Sequence, residues 1–230
     1  VSVITENLKK IEERINSVCI RVNRKPEEIA LVAVTKNVSA ERIKEAIACG
    51  IKIIGENRVQ EAKEKYPIIG KSVEWHMVGH LQTNKVKSAL EIFSLIQSVD
   101  SIHLAEAIQK RAQMLKLKIP ILLEVNTSGE PTKYGFDPSQ VLKAIESMQT
   151  MENLSIEGLM TIGPGLAVEN PEASRRSFQM LQQLKNKIEI EFKIKLRYLS
   201  MGMSSDFEIA IEEGSNMIRI GTAIFGERPQ

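Results

Sequence analysis

Cysteine, histidine, long apolar runs and an excess of one charge are all scarce in this sequence, and each scarcity excludes something. Two cysteines in 230 residues, Cys19 and Cys49, do not make a disulfide framework. They read as free thiols of a reducing compartment. The three histidines include His76 and His80, four apart on an expected strand. That is not helical metal spacing, and no metal centre is expected. Lys and Arg number 31 against 29 Asp and Glu, a net charge of +2. So even a balance gives no electrostatic reason to expect nucleic acid or an anionic membrane as partner. The longest stretch without a charged residue, 158–168, contains three glycines and a proline and is too short to cross a bilayer. Glu6, Glu12 and Glu13 among the first lysines do not form a signal-peptide pattern. These readings together predict a cytoplasmic protein.

What is present is a core-forming composition, 43% apolar and 26% charged, and a regular alternation. Apolar residues at Ile4, Leu8, Ile11, Ile15, Val18 and Val22 step by three and four, which predicts a helix over 4–22. The nearly continuous apolar run 29–34 suits a strand buried on both faces. Ser39 caps a helix over 40–49 that Gly50 ends. The same cycle repeats with strands at 51–54, 73–78, 93–99, 119–125, 156–162, 196–199 and 217–220. The intervening helices are expected at 58–65, 83–90, 101–117, 138–151, 171–190 and 205–213, with a last short turn from Thr222. Eight β/α units follow one extra helix, with no long linker and no domain boundary. The pattern favours an α/β fold: a single (β/α)₈ TIM barrel spanning 1–230, over a doubly wound open sheet.

Barrel active sites lie at the C-terminal strand ends, so the residues just past each strand are the candidates. Lys36 follows Leu31-Val32-Ala33-Val34-Thr35 at the mouth of an apolar tube, where desolvation favours a neutral amine able to form a Schiff base. A surface lysine opening a loop is the plain alternative. After strand eight, Gly221 permits close approach of a ligand, and Thr222 opens a short helix whose N–H groups suit a phosphate. Ser200, Met201 and Ser204 supply the turn after strand seven. An amine that seeks a carbonyl beside a phosphate cradle fits pyridoxal phosphate. It fits a phosphorylated sugar too, so the pairing alone leaves both open.

The motifs decide further. Leu31-Val32-Ala33-Val34-Thr35-Lys36, Ile54-Gly55-Glu56-Asn57-Arg58-Val59-Gln60-Glu61, the segment 75–85, Leu199-Ser200-Met201-Gly202-Met203-Ser204-Ser205-Asp206 and Arg219-Ile220-Gly221-Thr222-Ala223-Ile224-Phe225-Gly226 run in order along nearly the whole chain. With them the sequence resembles the pyridoxal phosphate homeostasis proteins, single-domain relatives of the alanine racemase barrel. The resemblance implies the fold-type III barrel, with Lys36 holding pyridoxal 5'-phosphate as a Schiff base. It implies phosphate contacts from Ser200, Gly221 and Thr222, with Ser204 and Met201 nearby, Asn57 beside the ring and Arg219 at the pyridine nitrogen. It implies a monomer that buffers or delivers the cofactor, with dependent apo-enzymes as acceptors, and that maintains vitamin B6 and amino-acid homeostasis. A racemase would need an opposing acid/base. The only tyrosines are Tyr66 at a helix end, Tyr198 in strand seven and Tyr134 near the mouth, so binding without catalysis is expected. A fold-type III enzyme such as an amino-acid racemase is one alternative. A Schiff-base phosphosugar aldolase is the other, weakened because strand six ends at Met160-Thr161 without a lysine. Lys133, in the loop after strand five, is a candidate second amine for transfer. Asp100 and Glu124 read as an ordinary cap and barrel residue.

Overall fold

The computed structural model describes residues 2–226. Position 1 and positions 227–230 of the expected domain lie outside the described residues. Eight strands, β1 (Ala30–Val34), β2 (Ile53–Glu56), β3 (Glu74–Met77), β4 (Leu95–Val99), β5 (Ile119–Glu124), β6 (Leu154–Met160), β7 (Tyr198–Ser200) and β8 (Met217–Ile220), pair in parallel in chain order. The last pairs with the first, so the sheet closes into a (β/α)₈ barrel. The connecting helices are α2 (Ala40–Ala48), α3 (Val59–Ile69), α4 (Val86–Ala89), α5 (Ile102–Leu115), α6 (Val141–Met148), α7 (Arg175–Phe192), α8 (Phe207–Glu212) and α9 (Thr222–Phe225), after an N-terminal α1 (Val3–Arg21). None of the described helices is long and apolar enough to cross a membrane.

The elements form for local reasons. Ser2 accepts from the N–H of Thr5 to start α1, and Ile4, Leu8, Ile11, Ile15, Val18 and Cys19 bury one face of it. That face seats the extra helix beside α8 and α9, and its rim is tied by Arg14–Glu208 and Arg21–Glu212 ion pairs. Ser39 and Ser101 cap α2 and α5 through their hydroxyls. Strand residues alternate between two cores, as the two-residue period of a strand requires. Val32, Leu95, Leu122, Met160 and Met217, with Val78, fill the inside of the barrel. Ala33, Ile96, Ile121, Leu123, Leu159 and Ile218 face the helices.

Several boundaries differ from the sequence reading. β2 starts and ends two residues later than 51–54, because its pairing with β1 runs to Val34 opposite Gly55. β6 begins two residues earlier than expected, and β7 begins two residues later. α3 continues through Pro67 to Ile69. Proline there removes a single N–H near the helix end, a smaller loss than in mid-helix. Tyr66 therefore lies within α3, not at its end. The helices expected at 83–90, 138–151 and 171–190 each open with a 3₁₀ turn.

Gly158 marks a close approach between β6 and β7. A Cβ there would lie 1.9 Å from the carbonyl oxygen of Tyr198 on the neighbouring strand. Neither backbone can yield without breaking the pairing. Gly158→Ala is expected to cost at least about 2 kcal/mol, read as a lowered urea midpoint with an unchanged slope.

Candidate functional site at the barrel mouth

The site begins at the turn after β1. Thr35 is fully buried; its N–H donates to the carbonyl of Gly55 at 2.9 Å and its hydroxyl donates to Glu56 Oε1 at 2.6 Å. Lys65 of α3 donates to the Thr35 carbonyl at 2.7 Å, to Glu56 Oε1 at 2.8 Å and to Glu61 Oε1 at 2.6 Å. Glu61 also accepts from the N–H of Asn37 at 2.5 Å. Both neighbours of Lys36 are thus clamped by one buried ion network. Burial pushes the Glu56 carboxyl above its usual range, opposed by hydrogen bonds from Lys65 and Thr35. Lys36 itself is half-buried. Its amine has no hydrogen-bond or ion-pair partner among the described residues, so it stays available to a carbonyl.

Strand pairing assembles the rest. Val34 is opposite Gly55, and carrying that register two residues on brings Lys36 opposite Asn57. The Oδ1 atom of Asn57 is buried without a protein partner. Gly79 lets the loop after β3 press on this residue: a Cβ would sit 2.4 Å from the Asn57 carbonyl oxygen. On the other side of β1, Ala33 is opposite Ile220, so Gly221 and Thr222 adjoin the same turn. Ser204 accepts from the N–H of Ala223 at 3.2 Å. The N–H groups of Gly221 and Thr222 find no acceptor among the described residues. This edge offers one hydroxyl and two free backbone donors.

Two of the expected site residues sit elsewhere. Ser200 is the last residue of β7 and fully buried inside the barrel; its hydroxyl donates to Gln97 Oε1 at 2.6 Å and accepts from Arg219 Nη1 at 2.7 Å. That double use makes it a support for Arg219 and turns it away from the Ser204 edge. Met201 points the opposite way, fully buried in the core between barrel and helices, because successive residues alternate sides. Arg219 is 4% exposed, and its Nη2 donates to the Thr161 carbonyl at 2.7 Å. Desolvation pulls its pKa down to about 10, opposed by Glu124 and Asp206, so it remains a cation at neutral pH.

Other groups at the mouth carried only a weak signal. Glu124 follows Leu122 by two and so faces the barrel interior, where it is buried. Burial and the nearby Asp100 push its carboxyl up to about 7, against the attraction of Arg219. Asp100 does not cap α5, which Ser101 does; it bonds His80 Nδ1 at 2.7 Å. The His80 ring stacks on Tyr134, centroids 3.9 Å apart, and both border a cavity of about 540 Å³ that reaches Asn57. Lys133 is ion-paired with Glu130 and donates to the Gly163 carbonyl at 2.5 Å. It pins the β5–α6 loop and is not a free amine. A charged or amide residue in step with a buried apolar one, as in Leu95–Gln97 or Leu122–Glu124, was the available clue.

The described residues therefore form a barrel with a half-buried, unpartnered Lys36 and free backbone donors at its mouth. Residues 6–229 match the family model described as Alanine racemase, N-terminal domain. A pyridoxal phosphate homeostasis protein of Aquifex aeolicus is 44% identical over 97% of this chain and 97% of its own. A solved protein of Bifidobacterium adolescentis, described as unknown, superposes with a TM-score of 0.91 at 35% identity, covering 97% of this chain and 94% of its own. PipY of Synechococcus elongatus, solved with PLP bound, gives 0.82 at 36% identity over 94% of this chain and all of its own. The chain belongs to the pyridoxal phosphate homeostasis proteins of the alanine racemase N-terminal domain family.

Two substitutions check the electrostatics. Lys65→Met strands the Glu56 carboxylate in the interior and is expected to cost about 3 kcal/mol; adding Glu56→Gln recovers part of that loss in chemical denaturation. For Glu124 the folded pKa, about 7, exceeds the unfolded value of about 4.3. The folded state binds the extra proton, so this group's contribution is lost as pH rises from about 4 to 7. Glu124→Gln should therefore gain on the wild type by on the order of 2 kcal/mol more at pH 8 than at pH 4.

Proposed function

We propose that this chain binds pyridoxal phosphate at the barrel mouth and buffers or delivers it, without turning over a substrate of its own. The observation that carries the reading is the convergence at adjoining strand ends of an unpartnered amine, a set of free anion donors and a buried guanidinium. The residues fit the group at each end. Lys36 suits the aldehyde. Ser204 with the N–H groups of Gly221 and Thr222 suits the phosphate. Arg219 suits the ring nitrogen, and the orphaned Oδ1 of Asn57 suits a donor on the ring edge. When bound, the group supplies an aldehyde that condenses with a primary amine.

Arginine only donates hydrogen bonds. Facing the ring nitrogen, it favours the unprotonated form, a weak electron sink that suits holding over carbanion chemistry. Among the tyrosines, Tyr134 is the one near the mouth, and its ring is taken up by His80. These points favour storage over racemisation. The names of the relatives agree, and PipY is described with PLP bound. In this reading the protein is a cytoplasmic monomer, and apo-enzymes that need the cofactor receive it.

The test is the absorbance spectrum of the purified protein with added pyridoxal phosphate, before and after borohydride, beside Lys36→Ala. The expected outcome is a yellow band that borohydride fixes covalently at Lys36. A colourless protein that takes up none would overturn the reading. Steady conversion of one alanine enantiomer, lost in Lys36→Ala, would replace storage by racemisation.

A further inference from the structure

A chain of buried polar groups runs down the inside of the barrel from the mouth. Arg219 Nη1 is 2.7 Å from Ser200 Oγ, Ser200 Oγ is 2.6 Å from Gln97 Oε1, and Gln97 Nε2 is 2.9 Å from His76 Nδ1. His76 Nε2 is 3.6 Å from Glu74 Oε2, on the exposed first residue of β3. Gln97, Ser200, His76 and Arg219 are all at most 4% exposed. Among the described residues a cavity of about 190 Å³ opens beside Glu74 and His76. The chain therefore joins the mouth to another opening of the molecule.

The direction of every bond follows from the two ends. Arg219 can only donate, and an ionised Glu74 can only accept. Ser200 accepts from Arg219 and so donates its own O–H to Gln97 Oε1. The Gln97 amide is then oriented with its NH₂ toward His76, whose Nδ1 must accept. The His76 proton is left on Nε2, facing Glu74. The opposite amide orientation would put the bare Nε2 lone pair against a carboxylate and leave the Ser200 proton without this acceptor. Burial disfavours a charged His76, consistent with the neutral ring. Nη2 of Arg219 has a single backbone anchor, the Thr161 carbonyl. One anchor leaves the guanidinium free to swing; a second fixes its plane.

We infer that Gln97 is a positioning residue which, through Ser200, fixes the guanidinium plane of Arg219 for the cofactor ring nitrogen, with His76 as the far stop of the same strut. The part concerning the ring nitrogen rests on the proposed function; the strut itself does not. Replacing Gln97 by Leu removes both of its bonds. Replacing it by Glu keeps an acceptor for Ser200, and the second carboxylate oxygen accepts from His76 if its proton moves to Nδ1.

The experiment reads the cofactor-free protein first, by ¹⁵N NMR of the His76 ring and the Arg219 guanidinium. In the wild type, Nε2 of His76 should carry the proton, and the Arg219 Nη signals should be resolved through restricted rotation. Ser200→Ala should shift the His76 Nδ1 resonance although the two residues do not touch. Gln97→Leu should merge the Arg219 signals, and Gln97→Glu should restore them with His76 protonated on Nδ1. In the loaded protein, Gln97→Leu should weaken pyridoxal phosphate binding about tenfold and shift the ring-nitrogen resonance. A wild-type His76 protonated on Nδ1, or a folded Gln97→Leu protein with unchanged Arg219 signals, would overturn the strut. Intact strut signals with no cofactor uptake by the wild type would defeat the proposed function and, with it, the ring-nitrogen role alone.

Discussion

Closure of the sheet, β8 against β1, is the constraint on which the rest depends. In an open sheet these would be the most distant strands. In the barrel, Ala33 faces Ile220, and two segments 185 residues apart, Lys36 and Gly221, share one edge of the mouth. Closure also encloses an interior too narrow for solvent, which must be filled from the strands themselves. The apolar side chains Val32, Leu95, Leu122, Met160 and Met217 do this in part. Nearer the mouth the barrel strands present Gln97, Glu124, Ser200 and Arg219, and any polar group enclosed there needs a partner supplied from inside.

Two lysines near the first strand end show how the fold divides one chemistry. Lys65 is held by Glu56, Glu61 and the Thr35 carbonyl. Those acceptors use up its donors. Lys36, one residue beyond that carbonyl, has no partner among the described residues. The register that puts Val34 opposite Gly55 carries on to Thr35 beside Glu56 and Lys36 beside Asn57, so alternation sends the two lysines' partners to opposite faces of the strand. The clamp holds the turn from one face while the amine of Lys36 is presented on the other.

Much of this was legible in the sequence where the signal is local. The last strand, 217–220, and the cap Ser39 were read correctly because apolar runs and capping hydroxyls act over a few residues; the cap of α5 was placed on Asp100, one residue before the Ser101 hydroxyl that makes it. Lys36 stood out as a lysine directly after an apolar strand, although position alone left a loop lysine as the plain alternative and the surrounding motif was what favoured it. The bounds of β2 and β7 were not legible, since apolar content alone does not say where pairing starts, and the register with the neighbour sets it. Ser200 and Ser204 lie in one short motif and look interchangeable there. Only the alternation of β7 sends the first into the interior and leaves the second at the turn. Glu124 and Gln97 were passed over because each looks like an ordinary strand residue until its inward direction is known.

The inward polar groups bear on the proposed storage role. Arg219 loses solvation on burial and recovers interactions from Ser200, Thr161 and the field of Glu124. A protein meant to protonate a ring nitrogen would gain more from a carboxylate in that place, and one lies close by in Glu124. Glu124 is itself hard to ionise where it sits, because burial and Asp100 both oppose the charge. The guanidinium thus keeps its charge while the neighbouring carboxyl is near balance at neutral pH. Next to the mouth the fold presents a firm cation and only a partial anion. That order of charges favours holding an anionic, aldehyde-bearing ligand and gives little help to the carbanion that turnover would require.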